Sequence, residues 1–270
     1  MTAYSINNMP STALSYSPGL WVSRGLVDQH SVVHKFGHNA AVGTAYTPIA
    51  EGGVWQTPQP AAATALRVKA GGNAGDTNGG AGAWEVLVEG IGPDGSFITD
   101  ILTLAGASAS AATTETFMRI TRFFVSKSGS YGTGASASHL AEITIENAAG
   151  GTDWGTIPLN GFARSQSQIG AYTVPLGFTA YLQGVSLQVE ANKPVNVLFL
   201  QRTNILQAAP PYTGVRTFLE LVGLQGPFLL PFIHPIKFEE LTDFGARAKV
   251  PTTTAEVSLD MEIVLVKNTA

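Results

Sequence analysis

Three histidines stand at positions 30, 34 and 38, a spacing at which imidazoles on one face of a helix can bind zinc. The segment that contains them, "HSVVHKFGHNAAVG", is rich in valine and includes Gly37, so it favours a strand. On a strand, His30, His34 and His38 would also share a face, but their span is too long for one ion. We therefore expect no metal site, and no cofactor is predicted.

The acidic residues do not form a recognisable catalytic pair. The densest acidic cluster is "EELTD", with Glu239, Glu240 and Asp243, and a solvated turn is a more common role for such a cluster than a cation site. A glycoside hydrolase would need two carboxylates facing across a groove, and these would come from distant strands. The chain also has no cysteine and no G-x-S-x-G nucleophile elbow. These observations predict a protein that is not an enzyme.

The most glycine-rich segment, "GGNAGDTNGGAGAW", runs from Gly71 to Trp84 and raises the question of a phosphate-binding loop. Such a loop is followed by a helix whose N-terminus supplies free N–H groups, whereas the residues after this segment alternate as in a strand. The segment also lacks Gly-Lys-Ser/Thr and G-x-G-x-x-G motifs. We expect a flexible connection between two strands and no ligand site.

The composition points to a surface that is weakly charged. Only 13% of the 270 residues are charged, about half of the roughly 25% typical of soluble domains. The surface must therefore be rich in small polar residues or covered by partners. A net charge of −4 does not attract a polyanion, and no apolar segment is long enough to span a membrane. The first residues, "MTAYSINNMP", do not resemble a secretory signal, so we expect synthesis in a cytoplasm and no nucleic-acid or membrane partner.

Hydrophobic residues alternate with a period of two in most segments, which predicts an all-β protein of ten or more short strands. "WEVLVEGI" and "SFITDILTL" flank "GPDG", and a proline followed by Asp-Gly between two alternating runs predicts a hairpin. No long window shows a helical period free of glycine or proline. Further strands are predicted in "FMRITRFFVS", "AEITIEN", "AYTVP", "TAYLQGVSLQVE", "VNVLFLQRT", "GVRTFLELVG", "IKFEE", "FGARAKV" and "AEVSLDMEIVLV".

The chain divides into three predicted regions. Residues 1–50 form an extended arm, residues 51–150 an N-terminal β domain with Gly-rich loops, and residues 162–270 an antiparallel β-sandwich or jelly-roll-like domain. The segment "NAAGGTDWGTIPLNG" is the predicted junction. An arm of this length is usually held by its own domain or by a neighbouring subunit. The predicted core of the last domain consists of Val185, Leu187, Val189, Val197, Phe199, Leu219, Leu221, Val257, Leu259, Met261 and Ile263.

The four tryptophans, at positions 21, 55, 84 and 154, all lie in the N-terminal part of the chain. Burial in the core is the commonest role of tryptophan, but exposed rings on one face would favour a sugar-binding module. Rings buried against another chain would favour assembly, because interface cores are rich in aromatic residues. We predict that Leu20, Trp21, Val22 and Trp55 contact neighbouring subunits.

Six segments spread from Phe36 to Val250 together resemble virion structural proteins of tailed bacteriophages, marine ones in particular. The segments occur in the same order as in that group, with a Trp-bearing arm, the "GPDG" hairpin, the "FMRITR" strand and the "AYTVPLG" entry to the last domain. They are "FGHNAAVGTAYTPIAEGGVW", "GAGAWEVLVEGIGPDGSFITDILTLAGAS", "FMRITRFFVSKSGSYGTG", "AEITIENAAGG", "QSQIGAYTVPLGFTAYLQGVS" and "HPIKFEELTDFGARAKV".

The resemblance implies a structural role in a virion and brings no catalytic residues with it. Together with the low charge, it leads us to expect a capsid-attached decoration, cement or fibre subunit that binds the major capsid protein or tail and adaptor proteins. Point-group closure makes a homotrimer the favoured oligomer. The alternatives that remain open are a tail or host-contact component and a carbohydrate-binding β-sandwich module.

Overall fold

The computed structural model describes residues 18–55, 63–132, 138–159, 164–207 and 209–269. Among the described residues, strands account for 55% and helix for 3%, which confirms the prediction of an all-β fold. All strand pairings among the described residues are antiparallel. The described elements are α1 (Pro18–Ser23), β1 (His30–Val42), β2 (Thr47–Pro48), β3 (Leu66–Val68), β4 (Ala83–Ile91), β5 (Phe97–Thr103), β6 (Arg119–Ser128), β7 (Ile143–Asn147), β8 (Asp153–Ile157), β9 (Ala171–Thr173), β10 (Phe178–Val189), β11 (Val195–Arg202), β12 (Arg216–Leu224), β13 (Gly226–Phe238), β14 (Asp243–Lys249) and β15 (Ala255–Lys267).

Two antiparallel sheets enclose one hydrophobic core and form what we call the C-terminal sandwich. One sheet has the order β1-β15-β10-β13, and the other has the order β12-β11-β14-β2, with β9 also paired to β14. Most of the predicted core is confirmed, because alternate residues of β10, β11 and β15 point inwards. Leu219 and Leu221 on β12 are only partly buried. The predicted core residues that are at most 1% exposed are Val185, Leu187, Val189, Val197, Phe199, Val257, Leu259, Met261 and Ile263.

A second hydrophobic core, the N-terminal core, is formed by two three-stranded sheets, β3-β7-β8 and β5-β4-β6. The predicted "GPDG" hairpin is confirmed, since the whole of β5 is paired with β4, from Phe97 opposite Ile91 to Thr103 opposite Glu85. In its turn the Gly92 N–H donates to the Ser96 carbonyl at 2.9 Å, and Gly95 has a φ of 86°. Glycine adopts this left-handed conformation without a steric cost, which is why the Asp-Gly pair could be recognised in the sequence.

The predicted extended arm differs from the structure in the part that the structure describes; residues 1–17 lie outside the described residues. Residues 18–23 form helix α1, and β1 pairs with β15 from His30 opposite Val266 to Val42 opposite Ala255. β2 pairs with β14. Residues 30–48 therefore contribute two strands to the sandwich. The alternation of apolar and polar residues is weak in this part of the sequence. The reason is that β1 also faces the N-terminal core, where some of its buried residues are polar.

Strands β8 and β13 differ from the sequence prediction. β8 falls inside the predicted junction and belongs to the N-terminal core. β13 begins ten residues before the predicted "IKFEE" strand, although it contains Pro227, Pro231 and Pro235. Proline cannot donate to a sheet ladder and argues against a central strand, but β13 is an edge strand that pairs only with β10.

The two cores meet where β1 passes β9. A Cβ atom on Gly37 would lie 2.1 Å from the Ile49 carbonyl oxygen and 2.3 Å from the Gly170 nitrogen. Only glycine permits such a close approach of three backbone segments. The conformation of this junction is therefore fixed by backbone packing as well as by side chains.

Candidate assembly interface

One side of the C-terminal sandwich is an open edge, which we define as residues 216–238 of β12 and β13. β12 ends one sheet and β13 ends the other, and only Gln225 separates them in the chain. The rings of Phe218 on β12 and Phe238 on β13 contact each other with centroids 5.3 Å apart. The two end strands therefore face each other across the core, and in each sheet the described strands end there.

The open edge exposes large apolar side chains. Ile233 is 92% exposed, and Val222 and Leu229 are each 72% exposed. The inward-facing residues of both strands are only partly buried, and Phe238 is the one buried residue among them. Leu229 and Ile233 lie on the same outward face of β13, and exposed apolar groups that share a face are typical of protein interfaces, because burying them releases ordered water. The partly buried residues are Phe218, Leu219, Leu221, Leu224, Phe228, Leu230, Phe232 and Ile236.

Charged residues are missing from most of the open edge. The residues from Leu221 to Ile236, between Glu220 and Lys237, include no Asp, Glu, Lys or Arg. Depletion of charge at the centre of an exposed apolar surface is the compositional signature of an interface core. The signal is present in the sequence, where the uncharged segment "GPFLLPFIHP" at residues 226–235 is rich in apolar residues.

The backbone of the open edge is unsuited to adding another strand. β12 has register irregularities at Phe218 and near Gly223, and β13 has one between Pro231 and Ile236. Bulges and prolines on edge strands interrupt the row of free N–H and C=O groups that a new strand would need. A partner would therefore bind this surface through side-chain packing.

The residues that the sequence predicted as interface lie elsewhere. Leu20, Trp21 and Val22 are on α1, where Leu20 is half exposed and the other two are partly buried. The Arg24 guanidinium lies 5.9 Å from the centre of a Trp21 ring. Trp55 is partly buried against the N-terminal core, and its indole N–H donates to the Ile120 carbonyl at 3.2 Å. Trp55 therefore packs within this chain, on the N-terminal core, whereas the other three residues lie on α1. That any of these four residues contacts a neighbouring subunit stays a prediction.

The tryptophans do not form a platform for a sugar. Trp154 is buried in the N-terminal core, and Trp21, Trp55 and Trp84 are each partly buried. The Trp84 indole N–H is bound to the Gly80 carbonyl at 2.7 Å. None of the four rings is fully exposed, so the arrangement that would favour carbohydrate binding is not present.

The three histidines have separate partners along β1. His30 Nδ1 lies 2.8 Å from the Asp28 carbonyl, and His34 lies 3.5 Å from an Asp260 carboxylate oxygen on the surface. His38 is buried between the two cores. Among the described residues, no group of three or more His, Cys, Asp or Glu side chains is arranged to hold a metal ion.

His38 is at the centre of a cluster of four ionisable side chains. Its Nδ1 and Nε2 atoms each lie 2.7 Å from a carboxylate oxygen, of Glu51 and Glu256 respectively. The Arg164 guanidinium lies 2.5 Å from the same Glu51 oxygen. The hydrogen bond to Glu51 raises the pKa of His38 above its usual 6.5, although desolvation by burial lowers it. The cluster links β1, β15 and the segments that lead to the N-terminal core.

The acidic cluster "EELTD" is divided among three different partners. Glu239 pairs with Lys237, and Glu240 accepts a hydrogen bond from the Gly177 N–H at 2.7 Å. Asp243 is buried in an ion pair with Arg119. The three carboxylates therefore do not converge on one ion.

The glycine-rich loop turns around a buried carboxylate. Asp76 is 2% exposed and accepts hydrogen bonds from the N–H groups of Ala83, Leu140 and Ala141 at 2.8 to 3.1 Å. A Cβ atom on Gly82 would lie 2.0 Å from the Asp76 Oδ1 atom. Glycine at this position thus lets the chain close around Asp76. The segment connects two strands, as predicted. The prediction that it is flexible differs from the structure, in which Asp76 holds the loop in place.

No helix in the described part of the chain is long and apolar enough to cross a membrane.

Comparisons with known proteins give weak similarities to virus structures. No family model and no curated protein matches the chain. A chain of the infectious bursal disease virus Gt strain is 10% identical, with a TM-score of 0.24, over 89% of this chain and 73% of that chain. T=1 particles derived from infectious bursal virus give 10% identity and a TM-score of 0.21, over 90% of this chain and 75% of that chain. TM-scores this low do not establish a shared fold.

Proposed function

We propose that this chain is a non-enzymatic structural protein of a tailed-phage virion, most simply a capsid-attached decoration, cement or fibre subunit. The observation that carries the proposal is the open edge, with its uncharged sequence and exposed Val222, Leu229 and Ile233. A protein that stays free in solution gains nothing from such a surface, whereas a subunit buries it on assembly. The ordered resemblance to phage virion proteins supports the same role.

Two kinds of contact are expected for such a subunit. The open edge suits contacts between copies of this chain, because residues near a symmetry axis approach their own copies and a charged residue would face a like charge. A homotrimer is the oligomer we favour. Leu20, Trp21 and Val22 on α1 are then available for contact with other virion proteins, since α1 lies outside both cores.

A tail or host-contact component is the second candidate, because the same apolar surface would serve assembly there. A carbohydrate-binding module is less well supported, since no tryptophan is fully exposed. The position of the chain in an imaged particle distinguishes the capsid from the tail.

The test replaces two exposed residues of the open edge in one variant, Leu229→Ser with Ile233→Ser. We expect the variant to keep the melting temperature of the monomer, because both side chains are mostly in water in the isolated chain. We expect it to lose self-association in light scattering and to fall in copy number on virions assembled in its presence.

The matched control is Ile101→Ser, which removes an equally large side chain that is 50% exposed on the edge strand β5. This variant should associate and assemble as the unmodified chain does. Normal assembly of the Leu229→Ser, Ile233→Ser variant would refute the role of the open edge.

A further inference from the structure

A cleft of about 280 Å³ lies between β1 of the C-terminal sandwich and β6 of the N-terminal core. It is separate from the open edge, and the inference drawn from it does not depend on the proposed function. Its walls carry a buried lysine, several hydroxyl groups and apolar side chains. The residues that matter for its chemistry are Val32, Lys35, Phe97, Thr121, Arg122 and Tyr172.

Lys35 is a buried cation without a counter-ion. Its side chain is on β1, the residue is 6% exposed, and its Nζ atom donates to the Thr121 carbonyl at 2.6 Å. Among the described residues, no carboxylate forms an ion pair with it. A buried ammonium group is normally paired, because desolvation of an isolated charge is costly. This cost is reflected in the pKa of Lys35, which burial lowers from 10.5 to about 7.

The other charges that line the cleft neutralise each other. Arg122 and Glu89 form a two-point ion pair, with nitrogen–oxygen distances of 2.9 and 3.0 Å. Below a pH of about 7, where Lys35 is protonated, the cleft therefore has one uncompensated positive charge, that of Lys35. A monoanion balances this charge, whereas a dianion would be in excess and would lie close to Glu89.

A second polar group at the cleft also lacks a partner. The Thr121 Oγ1 atom is buried and makes no hydrogen bond within the described residues. A buried hydroxyl without a partner is uncommon and calls for an explanation. Thr121 lines the same cleft as Lys35. A ligand oxygen would accept from the ammonium group and, after rotation of the Thr121 side chain towards the cleft, from the hydroxyl.

Apolar side chains surround the polar end of the cleft. Val32 and Phe97 are large apolar residues that are exposed at its lining, and Phe97 is 48% exposed. Phe36 and Val33 also contribute to the walls. A ligand with an apolar body would cover these groups while its charged end reaches Lys35, the usual division of labour in a small-molecule site.

We propose that this cleft binds a small carboxylate with an apolar body, whose anionic oxygens accept from Lys35 Nζ and Thr121 Oγ1. The carboxylate supplies the counter-ion that the chain itself does not provide. Binding is a reversible association and involves no covalent step.

The test uses benzoate as the probe and the full chain labelled for amide NMR. We expect saturable shifts at the amides of Lys35, Thr121 and Phe97. Benzamide, which has the same shape without the charge, should bind at least roughly tenfold more weakly, because a charged hydrogen bond is lost. Inorganic phosphate should also bind more weakly, since it has no apolar body. The wild-type titrations need no variant and remain valid if a substituted chain does not fold.

Two variants then locate the charge that matters. Lys35→Met keeps the length and apolar character of the side chain, and we expect it to lose at least roughly tenfold in benzoate affinity. Lys127→Met is the control, since Lys127 is exposed on β6 and paired with Glu85 at 3.0 Å. The proposal fails if benzoate causes no saturable shifts in the cleft, if benzamide or phosphate binds equally well, or if Lys35→Met retains full affinity.

Discussion

Arg119 and Asp243 form a buried two-point ion pair that joins the N-terminal core to the C-terminal sandwich. Arg119 Nε and Nη2 lie 2.9 to 3.1 Å from the Asp243 oxygens, and the Thr173 hydroxyl donates to the same carboxylate at 2.6 Å. The Arg119 side chain is 1% exposed. Both charges were desolvated on folding, so each depends on the other for compensation.

Replacing Arg119 alone should strongly destabilise the chain. We expect Arg119→Met to lower the free energy of unfolding by about 3–5 kcal/mol, because Asp243 is left buried without its counter-ion. Urea denaturation measures the change. Arg122→Met, which breaks a partly exposed pair with Glu89, should cost only about 0–1 kcal/mol. A double variant, Arg119→Met with Asp243→Leu, should recover much of the loss; equal costs for both single arginine variants would contradict the prediction.

The His38 cluster makes stability depend on pH. The hydrogen bond to Glu51 raises the pKa of His38 above the unfolded value of 6.5, although burial opposes the shift. The folded state therefore holds the proton more tightly, and this contribution is fully present below pH 6.5 and lost as the pH rises through the folded pKa. We expect His38→Gln to remove the corresponding fall in melting temperature on the alkaline side.

Two controls separate this effect from other groups. His34→Gln, which changes an exposed histidine on the same strand, controls for the substitution itself. Lys35 acts in the opposite direction, since its lowered pKa makes stability rise with pH above about 7. The quantity to compare is therefore the difference in melting temperature between each variant and the wild type at each pH. A profile of His38→Gln that parallels the wild type would exclude the cluster as the cause.

The packing of the glycine-rich loop around Asp76 should require glycine at position 82. We expect Gly82→Ala to destabilise the chain by about 1–3 kcal/mol, because its Cβ atom would meet Asp76 Oδ1 at 2.0 Å. Gly43→Ala is the control, since a Cβ atom there meets nothing within 4 Å. Thermal unfolding of both variants checks the prediction, which would be wrong if the two substitutions had the same effect.

Removal of residues 1–25 should separate folding from assembly. Among the described residues, the buried apolar residues begin at Leu26, so we expect the truncated chain to fold and melt near the wild-type temperature. We also expect it not to be incorporated into particles, because it lacks Leu20, Trp21 and Val22. The measurement compares melting temperature with copy number per virion. Normal copy number would show that this segment is not an assembly element.

Local sequence patterns determined much of the fold. The all-β class, the "GPDG" hairpin and nine buried residues of the sandwich followed from alternation and turn chemistry, because both act between residues that are close in the chain. The same reasoning placed β10, β11, β12, β14 and β15 near their observed bounds. It also identified the glycine-rich segment as a connection that leads into strand β4.

Relations between distant residues were decided only by the tertiary structure. β13 is a strand despite three prolines because it lies at a sheet edge, where missing N–H donors cost little. β1 joins the sandwich because β15 is available as a neighbour, and its buried polar residues hid the pattern. The partners of His38, Asp76, Asp243 and Lys35 lie between 7 and 218 residues away along the chain. Burial and charge pairing at such separations depend on how the cores pack, which no local pattern specifies.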